Sequence, residues 1–159
     1  MDEILQLLAE DARLTAAQIA ERTGGSEGDV KAAIARLESE GVIRRYKTII
    51  DWDKAGVEHV YGFIEVRVSP ERGVGFDAVA ERIMGFPEVH SLYLMSGTYD
   101  LLVVVQGRTM REVAFFVAEK LAPLEHVLST ATHFVLKRYK VDGDTLTERA
   151  EVKRLPVTP

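Results

Sequence analysis

Two short apolar segments joined by a glycine-containing turn constrain the fold of this chain more than any other part of it. They span residues 91–96 and 100–106, with Gly97 in the turn between them. Both segments carry apolar side chains at both alternating positions, whereas a strand with one solvent-facing side has polar residues at every second position. We therefore expect two adjacent strands in a sheet that is covered on both faces. Helices can cover one face, and a second copy of the chain is the simplest cover for the other.

The composition is typical of a globular protein and excludes several other classes. Of the 159 residues, 47% are hydrophobic and 28% are charged, and no apolar run is long enough to cross a membrane. The chain has no cysteine, which excludes disulfides and thiolate zinc sites, and its acidic start lacks the basic flank of a signal peptide. These features favour a soluble cytoplasmic protein.

Residues 1–50 predict three short helices followed by a strand. Apolar spacing predicts a helix at about 2–11, a second that begins at Thr15, and a third that begins at Ser26 and ends at Gly41. Asp29 follows Ser26 at capping-box spacing, and residues 42–50 are strand-like. This order, with a glycine turn before the third helix, is typical of a winged helix-turn-helix that binds double-stranded DNA. A three-helix cap that only dimerises fits the same pattern.

The third helix and the residues after it contain the candidate DNA contacts. If Val30 and Ile34 are buried, the outward side chains of this helix are mostly small. Alanine can contact a thymine methyl group, and lysine or arginine can reach phosphate or guanine. The predicted DNA-binding residues are Ser26, Gly28, Lys31, Ala32, Ala35, Arg36, Arg44, Arg45 and Lys47. Because residues 1–50 contain seven Lys or Arg against nine Asp or Glu, we expect weak binding by one head and cooperation between several heads.

Residues 59–141, which follow a predicted linker at 51–58, predict the order strand, helix, strand, strand, helix, strand. The first strand is expected at 59–68, the last at 127–138, and Thr109 is expected to cap the second helix. This is the ferredoxin-like βαββαβ order, with both helices on one face of an antiparallel sheet. The whole chain is therefore predicted to be an α+β protein. Residues 142–159 form a charged tail that either pairs at a sheet edge or stays disordered.

The sequence contains no catalytic constellation. None of its four histidines, at positions 59, 90, 126 and 133, has helix-borne metal-ligand spacing to another ligand. Nucleophile-elbow, phosphate-loop and dinucleotide motifs are also missing. We therefore expect a protein that is not an enzyme and that uses neither a cofactor nor a metal.

The turn between the central strands is the candidate sensing site. Gly97 permits a tight turn or the close approach of a ligand, and Asp100 either caps the turn or accepts a ligand's ammonium group. Ser129, Thr130 and Thr132 add hydroxyl groups at the start of the last strand. One carboxylate and several hydroxyl groups suit an amino-acid-sized effector.

Two motifs in this order and spacing resemble the Lrp/AsnC (feast/famine) family of transcription regulators. They are Leu-Glu-Ser-Glu-Gly-Val-Ile at residues 37–43 and Gly-Thr-Tyr-Asp-Leu-Leu at residues 97–102, within a similarity that covers residues 1 to about 141. The resemblance implies a helix-turn-helix followed by a RAM- or ACT-like ferredoxin domain, dimers formed through sheet faces, octamers, and amino-acid effectors bound between dimers. It also implies that residues 26–36 are the recognition helix, and that the turn, including Thr98 and Tyr99, responds to the effector with Thr130 and Thr132.

Two other functions remain open from the sequence. Siroheme decarboxylases have a similar two-domain layout, although their histidine and basic motifs are not matched here. A metabolite-binding module whose helical head no longer binds DNA would explain why that head is acidic.

Overall fold

The computed structural model describes residues 2–69 and 75–146 of the chain. These residues form two units that divide between Ile50 and Asp51. Most of the predicted tail at 142–159 lies outside the described residues.

The first unit contains three helices whose inward faces form a small apolar core. The helices are α1 (Asp2–Glu10), α2 (Ala16–Thr23) and α3 (Glu27–Ser39). Leu8, Ile19, Ala20 and Val30 are buried together, and Ile34 packs against them. The predicted helical order of this unit is therefore confirmed, with Val30 on the inward side of α3 as the spacing indicated.

Side-chain caps determine where α2 and α3 begin. Thr15 Oγ1 accepts a hydrogen bond from the Gln18 N–H at 3.2 Å, and the Thr15 N–H donates to Gln18 Oε1 at 2.9 Å, which completes a capping box. At α3, Ser26 Oγ accepts from the Asp29 N–H at 3.1 Å. Gly24 separates the two helices with φ of 72°, a left-handed conformation that glycine adopts without strain.

The strand expected at residues 42–50 does not form, and this prediction is wrong for the described chain. Residues 44–50 are exposed and pair with no other strand among the described residues. The Tyr46 hydroxyl donates a hydrogen bond to Glu38 Oε1 at 2.9 Å and links this segment to α3. Strand-forming residues need a neighbouring strand to receive their backbone hydrogen bonds, and the described part of this unit provides none.

The second unit is a four-stranded antiparallel sheet with two helices. The elements are β1 (Val60–Val68), α4 (Asp77–Met84), β2 (Val89–Leu94), β3 (Leu101–Gly107), α5 (Met110–Phe116) and β4 (Val127–Phe134). The strand order is β2-β3-β1-β4 and every neighbouring pair is antiparallel. The predicted α+β class and ferredoxin-like order are therefore confirmed, although β4 ends at Phe134 and not at residue 138. A separate short hairpin pairs β5 (Lys140–Val141) with β6 (Asp144–Thr145).

One face of this sheet is covered by α4 and α5. Ile64 and Val103 from the sheet are fully buried against Val79 and Val113 from the helices. The helix α5 continues into a π-helical turn at Val117–Leu121, which also packs into this core.

The opposite face of the sheet, here called the open face, has no described helix of the second unit packed on it. Strand register places Phe63 opposite Val104, and Tyr93 opposite Leu102, on this face. Phe63 is 38% exposed and Tyr93 is 52% exposed. Both sides of the central strands are thus apolar as predicted. The described helices of the second unit cover one side, whereas on the other Val104 is 7% exposed and Phe63 and Tyr93 keep larger exposed surfaces.

Candidate nucleic-acid interface and effector site

The predicted DNA-binding residues all lie on the surface of the first unit. Ser26 caps α3, and the others on this helix are exposed along its outer side. Those residues are Gly28, Lys31, Ala32, Ala35 and Arg36. Arg44, Arg45 and Lys47 are also exposed, in the irregular segment that follows. The helix therefore presents a small-residue surface with basic groups at its sides and beyond its end.

Both cations on α3 form ion pairs with glutamates of the same chain segment. Lys31 Nζ lies 2.6 Å from Glu27 Oε1, and Arg36 Nε lies 3.8 Å from Glu40 Oε1. All four side chains are more than half exposed. Exposed i,i+4 pairs of this kind contribute only a few tenths of a kcal/mol, about 0.3–0.5 kcal/mol each. A phosphate group can therefore replace the glutamates at little cost, although α3 carries three acidic side chains against these two cations.

Tyr46 connects the basic segment to the end of α3. Partial desolvation of this mostly exposed side chain, together with the hydrogen bond and the charge of Glu38, raises the pKa of the Tyr46 hydroxyl above its ordinary value. The hydroxyl therefore remains a proton donor at neutral pH. This contact ties the segment that carries Arg44, Arg45 and Lys47 to the last turns of α3.

Asp100 is built into the end of the sheet by three hydrogen bonds. Its Oδ2 accepts from the Val68 N–H at 2.8 Å, its own N–H donates to the Val66 carbonyl at 3.0 Å, and its carbonyl accepts from the Met95 N–H at 2.8 Å. The carboxylate therefore holds the turn to β1, which is a capping role. Oδ1 receives no hydrogen bond from the described residues, so the same carboxylate retains an oxygen for another donor.

Gly97 is not required by the backbone of the turn. Its φ lies outside the left-handed region, and no heavy atom lies within 4 Å of the position that a Cβ would take. Of the two predicted reasons for a glycine here, the tight turn has no support in this geometry. The open space at Gly97 leaves room for a ligand to approach the backbone.

The hydroxyl residues of β4 lie at the same end of the sheet as the turn, but they do not share one face. Ser129 pairs with Arg67, and Thr130 pairs with Val66, whose carbonyl Asp100 also contacts. Since β1 lies between them, Asp100 and Thr130 are two strand spacings apart, about 10 Å. Ser129 is on the open face, whereas Thr130 and Thr132 are half-buried on the helix-covered face.

The remaining predicted turn residues lie beside Asp100. Thr98 is exposed and Tyr99 is half-buried, in the loop between β2 and β3. The structure therefore brings Gly97, Thr98, Tyr99 and Asp100 together at one end of the sheet, with Ser129 and Thr130 one strand beyond β1. Thr132 pairs with Ile64, two residues further from this end.

Arg67 is a candidate effector contact that the sequence reasoning did not single out. It is exposed, and its register with Ser129 puts it at the end of β1, next to the residues that hold Asp100. A guanidinium group at this position can bind a carboxylate. The signal available in the sequence was the alternation of β1, which places Arg67 on the face opposite to the buried residues.

The described residues show no alternative metal centre or membrane span. Among them, no group of three or more His, Asp or Glu residues is arranged to hold a metal ion. None of the helices in the same ranges has the length and apolar character needed to cross a bilayer.

The fold and these surfaces define a DNA-binding protein with a separate ligand-binding domain. Residues 3–44 match the family profile of a winged helix-turn-helix DNA-binding domain, and residues 62–145 match the profile of the Lrp/AsnC ligand binding domain. The chain belongs to the Lrp/AsnC family of transcription regulators.

Individual relatives agree with this assignment. The chain is 50% identical to the uncharacterized HTH-type transcriptional regulator YugG of Bacillus subtilis, over 99% of this chain and 95% of that protein. It is 28% identical to the proline dehydrogenase transcriptional activator of Rhizobium radiobacter, over 89% of this chain and 90% of the relative. A transcriptional regulator of Neisseria meningitidis, solved as a complex with L-Met, superposes with a TM-score of 0.70 at 26% identity, over 87% and 89% of the two chains. These relatives are named as transcription regulators, and they give no support to the siroheme-decarboxylase alternative.

Proposed function

We propose that this regulator changes its DNA affinity or its assembly when an amino acid binds at the turn between β2 and β3. The observation that carries the proposal is the position of Asp100. Its carboxylate is fixed by Val68 at 2.8 Å, beside a glycine with open space around it. A charged group that the fold holds in place loses little entropy when a ligand binds.

The surrounding groups suit a zwitterion. Asp100 Oδ1 can accept from an ammonium group, and the Arg67 guanidinium can hold a carboxylate on the same end of the sheet. Thr98 and Ser129 are exposed there and can add hydroxyl hydrogen bonds. The relative solved with L-Met is consistent with an amino acid as the chemical class of the effector.

A homodimer formed through the open face is part of this proposal. Phe63 and Tyr93 leave apolar surface on a sheet face that no described helix of the second unit covers. Burying apolar surface is the usual driving force for association, at about 25 cal/mol per Å². Further association of dimers into an octamer would place several helix-turn-helix heads on one double-stranded DNA.

Several heads are needed because each one is weakly charged. The first 50 residues carry more acidic than basic side chains, and the two cations of α3 already have glutamate neighbours. Two heads on one assembly raise the effective concentration of the second head at its site, so weak single contacts add to useful affinity. Because its proposed target is DNA, we place the protein in the cytoplasm.

The test compares Asp100→Asn with Asp100→Ala. Asparagine keeps an oxygen that accepts from the Val68 N–H but removes the charge, whereas alanine removes both. A bound duplex is first enriched from a random-sequence pool, and its mobility shift is then measured across a panel of amino acids, with molar mass followed by light scattering. We expect the wild type to respond to one amino acid, and Asp100→Asn to require about tenfold more of it or worse. Asp144→Asn, an exposed change in β6, is the matched control and should respond like the wild type.

Two results would contradict the proposal. A full effector response in Asp100→Asn would show that the charge of Asp100 is not recognised. A wild-type protein that enriches no duplex, even at low salt, would favour the metabolite-binding module without DNA binding.

A further inference from the structure

A second cleft lies at the other end of the same sheet, away from the Gly97–Asp100 turn. It has a volume of about 310 Å³ and is formed where β1 and β2 begin and β3 ends. Its polar lining consists of His59, Glu88, His90, Gln106, Arg108 and Glu112. These residues come from separate parts of the second unit, and the regulator function assigned above uses none of them.

An apolar cleft of about 280 Å³ adjoins the polar one. The two share Glu88, Gln106, Gly107 and Glu112 as lining residues. The lining residues that belong only to the apolar cleft are mainly Val105, Val113, Phe115 and Phe116. A polar compartment next to an apolar one is the arrangement that fixes both the orientation and the identity of a small ligand.

Two polar atoms of this lining are buried without a hydrogen-bond partner among the described residues. They are His59 Nε2 and Glu88 Oε2. His59 Nδ1 lies 2.6 Å from the Gln106 amide nitrogen. With the amide in this orientation its nitrogen donates and Nδ1 accepts, so Nε2 of the neutral ring carries the proton. The cleft therefore has one unsatisfied donor and one unsatisfied acceptor, and burying such atoms unpaired is costly.

The charges around the cleft are of both signs. Lys120 pairs with the other oxygen of Glu88, and Arg108 pairs with Glu112 at 3.1 Å. The hydrogen bond from Lys120 lowers the pKa of Glu88, so this carboxylate is ionised at neutral pH. A ligand with a single charge would meet a group of the same sign, whereas a zwitterion can place each of its charges next to an opposite one.

We propose that this composite cleft is a second ligand site, and that it takes an amino acid with an apolar side chain. The ammonium group donates to Glu88 Oε2, and the carboxylate accepts from His59 Nε2. The side chain enters the compartment of Phe115 and Phe116. Both atoms are shielded from solvent in this structure, so small rotations of the Glu88 and His59 side chains bring them to the ligand, and binding then satisfies both.

The cleft lies next to the predicted linker at residues 51–58. His59 directly follows this segment, and its ring contacts Trp52 edge-on, with centroids 5.0 Å apart. A ligand that holds His59 therefore acts on a contact of the linker itself. Trp52 is also the only tryptophan in the sequence, so its fluorescence reports directly on this end of the sheet.

The experiment measures amino-acid binding by calorimetry, with Trp52 emission as the locating signal. The proteins are the wild type, Glu88→Gln, His59→Phe and Asp100→Asn, each checked for folding by circular dichroism. The probes are leucine, isoleucine, valine, methionine and phenylalanine, with aspartate and lysine as charged comparisons. His59→Phe keeps an aromatic ring beside Trp52 but removes the Nε2 donor. Glu81→Gln, an exposed carboxylate on α4 that lines neither cleft, is the matched control.

We expect an apolar amino acid to bind the wild type and Glu81→Gln equally and to change Trp52 emission. Glu88→Gln and His59→Phe should each weaken this binding about tenfold or more. Asp100→Asn should leave it unchanged, which separates this site from the proposed effector turn. The proposal is overturned if no apolar amino acid binds, if charged amino acids change Trp52 emission to the same extent, or if a folded Glu88→Gln protein binds normally. Binding that only Asp100→Asn abolishes would assign the ligand to the turn and would also overturn the second site.

Discussion

Replacing Gly62 with alanine should destabilise the second unit because α5 packs directly on its backbone. A Cβ at this position would lie 2.8 Å from Val113 Cγ1 and 3.2 Å from Val105 Cγ2. Carbon atoms prefer separations of about 3.5–4.0 Å. Val113 and Val105 are 2% and 1% exposed, and β-branched side chains have few alternative rotamers. The added methyl group can therefore be accepted only if α5 moves away from the sheet.

The size of the effect follows from two opposing contributions. An added methyl group in a well-packed core costs about 1–3 kcal/mol, whereas glycine in a strand is worth about 0.5–1 kcal/mol less than alanine. The overpacking cost is the larger of the two at the middle of these ranges, which leaves a net loss of stability of about 1 kcal/mol. For a domain near 100 residues, each kcal/mol lowers Tm by about 4–8 °C.

Thermal unfolding followed by Trp52 fluorescence measures this loss, since Trp52 belongs to the second unit. Gly97→Ala is the control, because a Cβ there would have no heavy atom within 4 Å and the φ of Gly97 is not left-handed. In the Val113→Ala background, Gly62→Ala should cost less stability than it does in the wild type, because the clashing methyl group of Val113 is gone. A Gly62→Ala protein as stable as the wild type would refute the packing argument.

Two further predictions concern the Glu88 ion pair and the open face. Lys120→Met should destabilise the protein at neutral pH, and the difference from the wild type should disappear in acid, as measured by urea unfolding across pH. Lys120 holds the pKa of Glu88 in the folded state below its ordinary value of 4.5. The ion pair therefore stabilises the fold above the pKa of Glu88 in the unfolded state, and this stabilisation is lost as pH falls through the pKa in the folded state. A difference in stability that persists at low pH would contradict this. Phe63→Lys should shift the light-scattering mass towards the monomer without unfolding the protein. Leu136→Lys should leave the mass unchanged, because Leu136 is 90% exposed and lies outside the strands. An unchanged mass for Phe63→Lys would place the dimer contact elsewhere.

The order of helices and strands could be predicted because each element carries its own periodicity. Val30 and Ile34 on α3, or Ile64 and Val66 on β1, repeat at the helical and strand periods that burial on one side requires. The strand prediction for residues 42–50 was wrong for a physical reason, since a strand depends on a partner strand that the local sequence does not specify. The π-helical turn at Val117–Leu121 was not predicted either, since the apolar spacing of this segment fits an ordinary helix.

The candidate sites were predictable only in part. The turn at Gly97 and Asp100 is contiguous in sequence, so its residue types were visible together. The contribution of Arg67 depends on the register of β1 with β4, which alternation alone does not give. The composite cleft is assembled from residues between His59 and Lys120 that share no motif, so only the folded structure brings them together.

The glutamates beside Lys31 and Arg36 also affect how the regulator would search a genome. A strongly basic helix is held by every stretch of phosphate backbone, and the many non-specific sites then compete with the operator. A recognition helix whose cations are already partly neutralised gains little binding free energy from the phosphates of a random DNA sequence. In the assembly proposed above, most copies would then remain off random DNA, and occupancy of the correct site would depend on shape and base contacts made by several heads at once.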